Sequence, residues 1–91
     1  MAASLDSALT RARNQRDAHL AEFKEFLAIP SVSTSSAHKP DVTRCGQWVA
    51  ERLRKAGIPK VEIFPTPGHA IVYGEWLQAP GKPTVLVYGH Y

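Results

Sequence analysis

The sequence predicts an α/β fold whose elements run α-α-β-β-β over 91 residues. Three observations predict it. Apolar residues recur at helical spacing through Ala56, the period shifts to that of a strand from Lys60, and proline or glycine marks each change. The last predicted strand, residues 84–88, is a continuous apolar run that leads into Gly89-His90-Tyr91. Such a strand is buried on both faces, and its carboxyl end is where open α/β sheets hold their ligands. It also needs paired edges and covering helices. The chain is therefore expected to be the truncated amino-terminal part of something larger, and the element order suggests the edge of a mixed sheet in an α/β or α+β layer fold.

The first element is an amphipathic helix over residues 5–28, in which Leu5, Leu9, Ala12, Leu20, Phe23 and Leu27 form a stripe interrupted by Arg16. Pro30 ends it, because the residue before a proline is pushed out of the helical region. Residues 31–40 read as a polar connection without periodicity. A second helix is predicted over residues 41–56, with Asp41 as its N-cap and Val42, Cys45, Val49, Leu53 and Ala56 on the inner face. Its end is the best-marked boundary. Arg52, Arg54 and Lys55 complement the helix dipole, Gly57 suits a left-handed cap, and Pro59 forbids continuation. Strands follow at 61–64, 70–77 and 84–88, separated by Pro65-Thr66-Pro67-Gly68 and by Pro80-Gly81, the latter suited to the centre of a type II turn.

Composition sets the outer limits. With 44% hydrophobic and 21% charged residues, the chain has the make-up of a soluble globular domain. The net charge of +3 arises in the first 60 residues, since only Lys82 is basic beyond Lys60. No basic stripe interleaved with aromatics emerges, so the charge reads as solvated helix faces, and neither nucleic acid nor membrane is an expected partner. The single cysteine, Cys45, excludes an internal disulfide and reads as a partly buried thiol. Asp6, Arg11, Arg13 and Arg16 leave no room for the apolar core of a signal peptide, and no window reaches membrane-spanning length. The expected location is cytoplasmic.

Four histidines stand at positions 19, 38, 69 and 90, and no two have metal-ligand spacing on one element. His19 reads as a packing residue at the margin of the first stripe, His38 as solvated in a polar loop, and His69 as part of a turn. His90 differs by position. It follows a glycine at the carboxyl end of the one strand that reads as central, which makes it the candidate ligand. Gly81-Lys82-Pro83-Thr84 is excluded as a phosphate loop, because it precedes a strand and places proline where an amide N–H is needed. The serines at 31, 33, 35 and 36 lack a nucleophile elbow, so serine hydrolase chemistry has no support.

At His90 the residues also carry a resemblance. The stretch Pro83-Thr84-Val85-Leu86-Val87-Tyr88-Gly89-His90-Tyr91 resembles the first metal-binding motif, an apolar strand followed by G-H-x-D, of the di-zinc exopeptidases that include carnosine dipeptidase, aminoacylase and succinyl-diaminopimelate desuccinylase. Phe26-Leu27-Ala28-Ile29-Pro30-Ser31-Val32-Ser33 is similar to the segment after that family's first helix. The stretch from Trp48 to Gly57 resembles its second helix, and that from Gly68 to Trp76 a following strand, most like the dipeptidase branch. The four stretches are collinear.

The resemblance implies an α/β/α zinc-exopeptidase-like catalytic domain with two Zn²⁺ ions, His90 being a ligand of one. It implies hydrolysis of an amide bond next to a free terminus, in a dipeptide or an acylated amino acid. A bridged zinc pair would lower the pKa of a shared water and polarise the scissile carbonyl while a glutamate moves the proton. The family's bridging aspartate, paired glutamates and last histidine map onto no residue here, and the lid domain through which the family dimerises is absent. The 91-residue chain alone is accordingly expected to be inactive and to need the remainder of the catalytic chain as its partner. The alternative is a small non-enzymatic interaction module that meets an acidic partner with the basic face of its second helix.

Overall fold

The computed structural model describes residues 4–91. Ser4 caps the first helix, α1 (Leu5–Asn14), its Oγ accepting the Ser7 N–H at 3.1 Å. Asp6 in the first turn and Arg11 and Arg13 in the last match the helix dipole. A second helix, α2 (Arg16–Ala28), follows across Gln15, whose φ of −98° and ψ of 8° leave the helical range although its N–H still reaches the Arg11 carbonyl at 2.9 Å. The continuous helix expected over 5–28 is therefore divided. Asn14, Gln15 and Arg16 are all exposed, so nothing packs over this turn to hold it in register.

The face that α2 buries also differs from the expected one. Leu5, Leu9, Leu20, Phe23 and Leu27 are exposed. Contact with the next helix, α3 (Lys39–Lys55), runs instead through Glu22 and Phe26, with Arg52 bonded to Glu22 at 2.5 Å and the Phe26 and Trp48 rings 5.6 Å apart. Trp48 and Arg52 form a half-buried ledge on α3, and α2 turns the residues that suit it, an aromatic ring and a carboxylate, toward that ledge. Pro30 closes α2 as expected, holding Ile29 at φ −80° and ψ 116°.

A 3₁₀ turn (Ser36–His38) leads directly into α3, which starts at Lys39 with Pro40 in its first turn, two residues ahead of the expected start. Asp41 is thus not the N-cap. That place belongs to His38, and the Asp41 carboxylate receives the His38 Nδ1 at 2.9 Å and an Arg44 guanidinium N–H at 3.0 Å. These two donors, His38 before Arg44, hold the Asp41 pKa below its usual value. A depressed carboxylate contributes stability that is present above its unfolded value, about 3.9, and disappears as the pH falls through the lower folded value. The α3 N-terminus should therefore fray below roughly pH 4, visible as loss of amide protection at residues 42–44, the first amides bonded within the helix, and Asp41→Asn should show the same fraying at pH 7. Protection unchanged from pH 7 to 2.5 would remove the carboxylate from this role.

The other end of α3 is as the sequence predicts. Gly57 lies at φ 93°, its N–H reaching the Arg54 carbonyl at 3.0 Å and the Ile58 N–H reaching that of Leu53 at 3.1 Å, the paired bonds of a Schellman cap. Val42, Cys45, Gly46 and Ala50 are the buried positions of the helix. Ala56, expected on the inner face, is exposed because the cap turns the chain away from the sheet there.

Beneath α3 lies an antiparallel hairpin, β1 (Lys60–Phe64) and β2 (Ile71–Glu75), with Lys60 opposite Glu75 and Phe64 opposite Ile71. Val61, Ile63, Val72 and Gly74 share the face toward the helix. A Cβ on Gly74 would stand 3.1 Å from Leu53 Cδ1 and 3.3 Å from Ile58 Cγ2, so the missing side chain lets α3 seat closely. The opposite face carries Glu62, Phe64, Ile71 and Tyr73, with the Phe64 and Tyr73 rings edge to face at 6.1 Å. Tyr73 donates to Glu75 Oε1 at 2.7 Å, and that bond to a carboxylate is the main reason the phenol pKa is raised.

The third strand expected at 84–88 is not formed. Gly81 takes φ 77° and the Lys82 N–H meets the Ala79 carbonyl at 3.1 Å, as the expected type II turn requires. The chain then returns beside β2, with Trp76 and Leu77 near Thr84 and Val85 at one end and Ile71 and Val72 near Val87 to Tyr91 at the other. No ladder bonds join the two, and Val85, Leu86, Val87 and Tyr88 are 81–89% exposed. Apolar residues alone do not make a strand; without neighbours on both faces the entropy of fixing the backbone is not offset. Among the described residues the buried hydrophobic side chains are Ile29, Val42, Cys45 and Ala50, a small core centred on α3.

Candidate functional site

The returning segment brings the end of the chain back to the start of β2. Thr66 fixes the entry to that strand, its hydroxyl donating to the His69 carbonyl at 2.7 Å and accepting the Gly68 N–H at 3.0 Å. His69 then reaches across to the 31–35 loop and donates from Nε2 to the Ser33 carbonyl at 3.0 Å. A carbonyl can only accept, so the proton of this bond is carried by Nε2. His69 is more than a turn residue: it is a tie between two loops.

His69 and His90 line the same cavity of about 280 Å³, together with Val42, Ala70, Tyr88 and Tyr91. The His90 ring meets Tyr88 edge to face at 5.1 Å. The reversal at Pro80-Gly81 explains the pairing, since a segment that returns beside β2 ends near the residues that precede that strand. That signal was present in the sequence, in the spacing of Gly68-His69 before one predicted strand and Gly89-His90 after the next. Of the other histidines, His19 is exposed on α2 and His38 is the N-cap of α3, bonded to Asp41. Neither lines this cavity.

A second cavity of about 440 Å³ adjoins the first and shares Val42, His69, Ala70 and Tyr91 with it. Tyr91 forms the partition. Its phenol donates to the Ala70 carbonyl, and burial followed by the nearby Cys45 raises its pKa. Cys45 itself is fully buried, which fits a packing thiol better than an accessible nucleophile.

Two imidazoles on one cavity wall can hold or orient a polar group, but they do not complete a metal centre. Among the described residues no three His, Cys, Asp or Glu side chains stand together as a ligand set. A catalytic zinc needs three protein ligands, so these residues by themselves do not fit a zinc pair. Among the same residues no helix is long and apolar enough to cross a membrane.

Comparison with known proteins gives one relevant likeness. The chain is 31% identical over 80 residues to the Cys-Gly metallodipeptidase DUG1 of Candida albicans, a match covering 75% of this chain and 16% of that protein. The chain thus corresponds to a small share of the relative's length, and the likeness supports a distant relation to metallodipeptidases. No family model and no solved structure matches the chain.

Proposed function

We propose that this chain is the amino-terminal portion of the catalytic domain of a zinc-dependent dipeptidase-like hydrolase, with His90 as one imidazole donor to its metal centre. The observation that carries the reading is the placement of His90 at the end of an uncovered apolar run, on a cavity shared with His69. Exposed Val85, Leu86 and Val87 are the surface that further strands and helices of the same domain would bury, converting the returning segment into a central strand. The other ligands, the general base and a dimerising lid would come from the rest of that domain. Substrates of the class are dipeptides or acylated amino acids, cleaved at an amide next to a free terminus, in the cytoplasm.

The basic face of α3, on which an interaction module would depend, is largely neutralised within the chain. Arg44 is paired with Asp41 at 3.0 Å, Arg52 with Glu22 at 2.5 Å and Arg54 with Glu51 at 2.6 Å. No observation favours an acidic partner over these internal carboxylates.

The test uses the full-length polypeptide that carries this sequence, loaded with Zn²⁺ and assayed on Cys-Gly and other dipeptides. Expected are hydrolysis that a chelator abolishes and added Zn²⁺ restores, and no turnover from the 91-residue chain alone. Chelator-insensitive turnover, or none by the loaded full-length protein on any dipeptide or acyl-amino acid, would overturn the proposal.

A further inference from the structure

We infer that Tyr91 is a positioning residue: its ring, seated against Gly46 of α3 and bonded to the Ala70 carbonyl, latches the returning segment so that His90 stands on the cavity wall beside His69. The latch itself is independent of the function proposed above; its bearing on catalysis rests on that reading.

Three observations converge on the latch. A Cβ built on Gly46 would lie 3.2 Å from Cε2, Cζ and the hydroxyl of Tyr91, so the ring sits where an alanine side chain would crowd it. The phenol reaches past the helix to the first residue before β2, donating to Ala70. Meanwhile the preceding residues 84–90 are exposed and make no ladder bonds, so among the described residues the polar bond from this segment to the α3–hairpin unit is the one made by Tyr91. Glycine in the interior of a helix costs about 1 kcal/mol relative to alanine, and Gly46 is fully helical and buried with no positive φ to require it. The ring of Tyr91 is the physical reason for its small size. His90, one residue earlier, inherits its place from that anchor.

A double-mutant cycle on the full-length polypeptide tests the latch by thermal unfolding. Gly46→Leu fills the slot and should lower Tm in the Tyr91 background. In the Tyr91→Ala background the leucine occupies the vacated space, and the same substitution should be neutral or raise Tm. Gly46→Ala is the milder second pair: it should lower Tm, or leave it flat, beside Tyr91 and raise it beside Ala, where helix propensity alone acts, by about 4 °C or less for a gain of up to about 1 kcal/mol. Equal shifts in both backgrounds for both pairs would overturn the latch. Positioning of His90 is read from its imidazole ¹H–¹³C resonance in histidine-labelled protein, assigned with His90→Gln. Tyr91→Ala should move it and Tyr91→Phe, which keeps the ring in its slot, should largely restore it; a resonance unmoved by Tyr91→Ala would show that the tyrosine does not set the histidine. On dipeptides Tyr91→Ala should lower kcat with KM near wild type. If the cycle and the resonance behave as expected while the wild-type protein hydrolyses no dipeptide, the latch stands and the proposed function fails.

Discussion

His90→Ala in the zinc-loaded full-length polypeptide should reduce kcat on a dipeptide by more than the roughly 10–100-fold that loss of an outer partner of a metal ligand costs. About one equivalent of Zn²⁺ per chain should be lost with it, because a directly bound imidazole and not a supporting group is removed. His69→Ala should leave metal content near normal while loosening the 31–35 loop, since its Nε2 is already committed to the Ser33 carbonyl. His38→Ala should do neither and only weaken the α3 start, where the ring bonds Asp41. Metal analysis by mass spectrometry beside steady-state kinetics separates the three. If His90→Ala kept its full metal and most of its rate, His90 would be a structural residue and the proposed dipeptidase reading would lose its mechanistic support.

Ala50→Glu should produce the largest loss of stability. Ala50 is fully buried on α3, in a core that holds no charged side chain among the described residues, and a carboxylate forced there must stay charged without a buried partner or bind a proton. Either route costs several kcal/mol on the scale of one unpaired buried ion, a large part of the roughly 5–15 kcal/mol available to a small domain. The helical circular dichroism signal at 25 °C should collapse or its midpoint fall by tens of degrees. Glu51, the next residue, shows the contrast: about 100° further round the helix, the same side chain is solvated and pairs with Arg54. Thr43→Glu, at an exposed position of the same helix, should change stability by within about 0.5 kcal/mol. A variant Ala50→Glu that melts with the parent would mean that this core is not what holds the helix on the hairpin.

Local chemistry was decided by the sequence. Pro30 ending α2, Gly57 closing α3, the β1–β2 hairpin and the Pro80-Gly81 turn each rest on one residue's dihedral preference or on alternation within five residues. Such preferences act over a single turn and need no partner. His90 was singled out on local grounds too, as the residue after a glycine at the end of an apolar run, and the structure places it on the cavity wall with His69.

Tertiary structure decided what depends on a partner. The stripe of α1 and α2 pointed to one buried face, but Trp48 and Arg52 of α3 selected the face holding Phe26 and Glu22. The same dependence explains residues 84–88, whose apolar side chains show only that they would be buried, whereas a strand forms only where backbone donors and acceptors meet a neighbour. His69 joined the site for a geometric reason no local preference contains: the returning segment ends beside the residues that precede β2. The Tyr91–Gly46 contact, between residues 45 positions apart in sequence, belongs to the same class, because which ring fills a glycine's empty space is settled only when helix and returning chain pack.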